Sequence, residues 1–229
     1  MTTRDLEDRW IAYKDAEKLG LRRQALNLLD EVIEMAKNLP AEQCRSWVEE
    51  LACQIVDQDL DQPVRAPLFK NLILPVLREG LNLGRAGCAR WLADLGKPYP
   101  RVLSSHLPRE FQTPRDLLRQ ALRLDPDDAR ACQLLIAEEL EGIAYSLHEL
   151  PSAVLCGPNA ATVEECDEML EDLHEFEKLV TEHGVREQHK ALIEKAGFHY
   201  RLYKLHLQEP TGLSFPERLL ETPHKPRPV

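Results

Sequence analysis

From the first ten residues to about position 207, apolar side chains return every three or four positions, a pattern that buries them only if the chain is helical. Leu6, Trp10 and Tyr13 mark a first helix that Gly20 ends. Ala25, Leu28, Leu29, Val32 and Ala36 mark a second, and Cys44, Trp47, Val48, Leu51 and Ile55 a third. The Gln62-Pro63 step and Pro67 open a fourth helix running to about Leu83. Pro75 lies inside it and predicts a kink or break, because proline removes a ladder donor. Cys88, Ala89, Leu92 and Leu95 give a short fifth helix that Gly96 closes. Strand patterns are scarce, and 6% aromatics with ten glycines fit a helical protein better than a sandwich or barrel.

Residues 97–113 hold Pro98, Pro100, Pro108 and two serines without a sustained period, so they read as a connector. They separate an N-terminal lobe (1–96) from a C-terminal lobe (114–207). Thr113 caps a sixth helix with Pro114 at its first position, where proline is tolerated. After the Asp125-Pro126-Asp127-Asp128 turn, Cys132, Leu135, Ile136, Leu140, Ile143, Leu147 and Leu150 form the cleanest stripe in the chain, a seventh helix ending before Pro151. Residues 152–161 read as a loop. Thr162 and Glu165 form a capping box for an eighth helix, which buries Val163, Cys166, Met169, Leu170, Leu173, Phe176 and Val180 and stops at Gly184. A ninth spans about 186–207, and 208–229 reads as an extended tail with a proline-rich end. The expectation is an all-α protein, a bundle or short irregular solenoid of about nine antiparallel helices. At 229 residues and 43% hydrophobic, it can bury a core as one larger domain or two smaller ones.

Leu118, Ala121, Leu124 and Pro126 sit in Leu-Leu-Arg-Gln-Ala-Leu-Arg-Leu-Asp-Pro-Asp-Asp-Ala, which resembles the second helix and closing turn of a tetratricopeptide repeat. The resemblance covers about one half-repeat. In the next helix Cys132, Ile136 and Glu139 stand where that family usually has tryptophan, glycine and tyrosine. Ala25, Leu29 and Val32 echo the pattern earlier, with Pro40 too late for the closing turn. The resemblance implies a helical-repeat-like protein whose job is to bind other proteins.

Charge is arranged in blocks. Residues 63–124 carry eleven bases against four acids, a local +7, and residues 125–182 carry sixteen acids against two bases, a local −14. The flanks are milder, −6 over 1–62 and +3 over 183–229, within a total of −10. Such blocks speak to association, not to fold. The eighth helix places Glu164, Asp167, Glu168, Glu171, Asp172 and Glu175 on its polar face. Like-charge pairs at i,i+4, such as Glu164/Glu168 and Glu171/Glu175, cost roughly 0.2–0.5 kcal/mol each, which a cationic neighbour relieves. One candidate is internal: Arg115, Arg119 and Arg123 recur every four residues and form a basic ridge on the sixth helix. Facing solvent instead, that ridge would suit an anion.

Other chemistries find little in the sequence. The acidic N-terminus, Met1-Thr2-Thr3-Arg4-Asp5-Leu6-Glu7-Asp8, predicts no signal peptide, and the longest apolar run, 72–77, is too short to span a membrane. Six single cysteines without a Cys-x-x-Cys pair read as buried thiols of a cytoplasmic protein, with Cys156 and Cys166 flanking a loop and able to approach each other. Glu171-x-x-His174 lacks the second Glu-x-x-His of a di-iron bundle, so no metal is expected. Ser104-Ser105-His106 comes without a nucleophile elbow, and phosphate-cradling glycine loops and other cofactor motifs are missing. His199 and Tyr203, at i,i+4, could line a groove. An acidic chain with no recognisable binding motif disfavours nucleic acid. The expected function is a non-catalytic, cytoplasmic protein-binding module, an adaptor or scaffold, holding a protein or basic peptide on its acidic surface. The alternative is a bacterial immunity protein whose acidic face neutralises a basic toxin.

Overall fold

The computed structural model describes residues 2–150, 162–209 and 212–222, which form eleven helices and no strand. The all-α class is therefore as the periodicity requires. The chain divides into two compact units, Met1–Leu135 and Ile136–Val229.

The first unit begins with α1 (Thr3–Lys18), α2 (Arg22–Lys37) and α3 (Ala41–Val56). Ala66–Leu68, Phe69–Ile73 and Leu74–Asn82 then run on as one helix, α4, followed by α5 (Cys88–Gly96), α6 (Pro100–His106) and α7 (Pro114–Leu124). Its core closes over Leu6, Tyr13, Leu29, Phe69, Leu92 and Leu117, all fully buried. Burying a leucine or phenylalanine of this kind contributes roughly 1.5–3 kcal/mol. Pro75 does not break α4. The helix widens to a π-turn just before it, and the Leu74 N–H donates to the carbonyl of Phe69 five residues back. The bulge gives the proline ring room where a regular turn would clash. Close approach of α4 to α5 depends on Gly80, where a Cβ would run into Cys88 Sγ.

The non-helical stretch before α4 is strapped down by side chains. Tyr13 OH donates to the Pro63 carbonyl at 3.0 Å, Tyr99 OH to Val64 at 2.7 Å, and the Arg65 guanidinium forks onto both Glu17 oxygens at 2.5 and 2.6 Å. Burial pushes the Tyr13 phenol up to about 12, with the Glu17 carboxylate adding to the rise and Arg65 opposing it. Above pH ~10 the unfolded chain releases this proton and the folded chain does not. Stability from this group is thus complete below pH ~10 and falls, by on the order of 2 kcal/mol, as pH climbs through the folded value. Tyr13→Phe should remove that part of the alkaline loss in melts taken across this range. A Tyr13 absorbance step near pH 10, taken as the difference between the two proteins, would refute the burial argument.

The second unit contains most of α8 (Ala129–Glu149), with α9 (Val163–Glu182), α10 (Arg186–Gln208) and α11 (Phe215–Glu221). Ile143, Leu150, Cys166, Leu173, Phe176, Ile193, Tyr200 and Tyr203 belong to its buried cluster. Ser146 donates to the Ile143 carbonyl at 2.9 Å and so accepts from the Tyr200 hydroxyl, tying α8 to α10. Gly184, with φ of 71°, turns the chain from α9 into α10.

Three expectations need correction. Residues 97–113 are not only a connector: α6 starts at Pro100, its first position, and buries Leu103, a 3-10 turn follows at Arg109–Phe111, and Leu107 is buried beside them. The division between units falls after Leu135, inside α8, and α7 packs on α5 within the first unit. The tail is not wholly extended, since Ser214 and Glu217 form a capping box that starts α11. These two added helices account for eleven where nine were expected. The 152–161 loop, Cys156 and the proline-rich end from position 223 lie outside the described residues.

Candidate functional site

Helix α9 is anchored at its start by reciprocal bonds: Thr162 N–H donates to Glu165 Oε2 at 3.0 Å and Glu165 N–H to Thr162 Oγ1 at 3.2 Å. Cys166, Leu173, Phe176 and Val180 turn inward, which fixes the rotation of the helix about its axis. That rotation leaves Glu164, Asp167, Glu168, Glu171 and Glu175 exposed and Asp172 half-buried. The predicted carboxylates therefore do share one face. One cationic neighbour that the charge-block reading overlooked is on α10: Lys204 Nζ reaches both Asp167 oxygens at 2.5 and 2.7 Å. Lower on the same helix, Glu177 takes Arg186 at 2.6 Å.

Arg115 and Arg119 are half-buried and Arg123 is exposed on α7, where Arg123 donates to Gln120 at 2.8 Å. The ridge belongs to the first unit and the acidic helix to the second. Three bases of the basic block pair with the N-terminal helices: Arg65 with Glu17, Arg85 with Glu49 at 2.9 Å, and Arg90 with Asp57 at 2.8 Å. Redistributed by unit, the first has 21 acids against 20 bases and the second 18 against 9. Nearly all the net charge, −9 of −10, thus resides with α9.

A part-buried polar cluster was missing from the sequence expectations. At the end of α3, Asp57 accepts from Arg90 Nε and Nη2 at 2.9 and 2.8 Å and from Trp91 Nε1 at 2.9 Å. Arg90 Nη1 also bonds Asp128, whose other oxygen caps α8 by accepting from the Ala131 N–H at 2.9 Å. Arg130 completes it, donating to the Val56 carbonyl at 2.9 Å and to Asp59. The only trace in sequence was the acid-rich turn at 125–128. This cluster is a structural clasp between α3, α5 and the start of α8.

Beside the acidic face, α9 and α10 enclose an open groove of about 380 Å³, floored by Leu170, Leu173, Ile193 and Phe198 and edged by His174 and Arg201. His199 and Tyr203, expected in such a groove, are instead buried in the core at 8% and 7% exposure. Among the described residues, no group of three His, Cys, Asp or Glu side chains converges as a metal site would require. Ser105 Oγ lies 2.8 Å from His106 Nδ1, but that nitrogen also sits 2.9 Å from the Val102 carbonyl and must donate there. It is therefore not a base for the hydroxyl, which itself donates to Val102 at 3.1 Å. Cys88 and Cys166 are buried, and burial pushes both thiols up to about 11, away from nucleophilic reactivity. No described helix is long and apolar enough to cross a membrane.

What fold and site define is an all-α protein of two units with its negative charge concentrated on one exposed helix of the second. Comparison with protein-family models, curated proteins and solved structures finds no match.

Proposed function

We propose that this chain is a non-catalytic, cytoplasmic protein-binding module whose α9 face receives a protein or peptide rich in lysine and arginine. The observation that carries this reading is the placement of charge: the first unit is nearly neutral, while the second carries −9 and exposes Glu164, Glu168 and Glu171 on one helix. Like charges at i,i+4 oppose the helix by roughly 0.2–0.5 kcal/mol a pair, so a cationic partner relieves a cost already present. The half-repeat resemblance to tetratricopeptide proteins supports the same class of function.

Long-range attraction raises association rates and is screened by salt. A fluorescent Lys/Arg-rich peptide should bind the native chain fast at low salt. The triple variant Glu164→Lys, Glu168→Lys, Glu171→Lys should capture it at least ~10-fold more slowly, with a flatter salt dependence. Its melting temperature should change little, because these side chains are outside the core and relief of the like-charge pairs offsets the loss of Glu164 from the first turn, where an acid favours the helix dipole. Stopped-flow rates equal for the two proteins would rule the reading out. Affinity capture with mass spectrometry would then name the natural partner.

A further inference from the structure

The end of α10 forms a seat for one aromatic ring and one guanidinium. Phe215, 2% exposed, sets its ring edge-on to Tyr203 at 4.7 Å and lies 5.7 Å from the His206 ring. One turn later the buried Arg218 donates from Nη1 to the carbonyls of Leu205 at 3.2 Å and Glu209 at 3.0 Å, while Nη2 lies 3.7 Å from the Glu209 carboxylate. The Leu205 carbonyl already accepts from the Glu209 N–H at 2.9 Å, but both carbonyls have lone pairs to spare and sit at the negative end of the dipole, so the seat selects a cation for a physical reason. Beside the aromatic pocket, His206 Nδ1 is buried without a hydrogen bond among the described residues. The present occupant leaves that atom unsatisfied.

The occupant is itself slight. Helix α11 has seven residues, too few for a helix that stands alone, and it presents Leu220 to solvent at 83% exposure. It holds its seat through Phe215 and Arg218, helped by the partly buried Leu219. We propose that the seat is a peptide-recognition site which α11 fills in cis, and that a helical segment of a partner, bearing an aromatic residue with an arginine three positions on, displaces α11 from it. The seat lies apart from the α9 carboxylates and does not depend on their role. Because α11 is part of the same chain its effective concentration is of roughly millimolar order, so the intact chain resists an outside competitor.

The test uses a fluorescent peptide of residues 212–222 added in trans to the full chain, read by anisotropy. It should saturate a Phe215→Ala chain with at least tenfold higher affinity than the wild-type chain. Placing Phe215→Ala or Arg218→Ala in the peptide should cost at least tenfold. Equal affinity for both chains, indifference to both peptide substitutions, or no binding to the Phe215→Ala chain would overturn the proposal. If the Phe215→Ala chain fails to fold, an Arg218→Ala chain serves, since it leaves the aromatic in place. Hydrogen exchange of the wild-type chain supplies a second readout: amides of α11 should exchange at least tenfold faster than those of 199–203. Equal protection would mean that α11 never opens by itself and would overturn the idea. So would a concentration-dependent dimer lost in the Phe215→Ala chain, because the seat would then serve α11 of a second copy.

Discussion

Arg90→Ala is expected to destabilise the first unit by roughly 3–5 kcal/mol, the cost of leaving a buried ionic partner uncompensated. The side chain is only 12% exposed, and it answers two carboxylates at once, Asp57 at 21% and Asp128 at 8% exposure. Removing it takes the cation from both, leaving Asp57 the Trp91 indole and Asp128 the Ala131 N–H, and Asp57 already sits at the end of α3, where the helix dipole disfavours an anion. The assay is clean because all three tryptophans, Trp10, Trp47 and Trp91, lie in the first unit. In urea, the fluorescence midpoint should drop sharply, while circular dichroism retains a later transition from the second unit. Adding Asp57→Ala to Arg90→Ala should recover part of the loss by removing one stranded charge. An unchanged fluorescence midpoint would mean that the clasp contributes nothing, and water would have to be satisfying both acids.

The counterpart in the second unit is Phe176→Ala, expected to cost about 3–5 kcal/mol as an aromatic deleted from a packed core. Phe176 is 2% exposed on the inner face of α9, among Leu173, Val180 and Ile193. The substitution leaves every carboxylate in place and removes the packing that aims them. Its circular dichroism transition should therefore move to lower urea while the tryptophan transition stays. Binding of a cationic peptide should weaken in proportion to the unfolded fraction and recover when temperature is lowered. This separates charge from presentation: the Glu164, Glu168 and Glu171 reversals remove charge on a folded helix, and Phe176→Ala removes the fold beneath the charge. A Phe176→Ala chain melting like the native one would show that this cluster relaxes around the cavity.

Much of the local structure was legible because it rests on neighbours in sequence. Thr162 with Glu165, Thr113 with Pro114, and Gly184 each act within one turn, and each does what its residue type predicts. The acidic face followed from the same logic, since Cys166, Leu173, Phe176 and Val180 fix which side of α9 is inward. Misreadings came where prolines stood beside buried leucines. Pro100 looked like loop punctuation and is the first residue of α6, while Pro75, read as a kink or break, is preceded by a π-turn in an unbroken helix. Phe215 and Arg218 went unread because their partners, Tyr203, Leu205 and Glu209, lie beyond one helical turn.

By itself, then, the sequence determined that this chain is helical, where most of its helices begin and end, and which side of α9 carries acid, because those properties depend on side chains three or four positions apart. Tertiary structure alone decided that three bases of the basic block pair with the N-terminal helices, through Arg65–Glu17, Arg85–Glu49 and Arg90–Asp57. Those pairs join residues 33 to 48 positions apart, and an ion pair at such separation exists only once packing has brought its helices within a few ångströms.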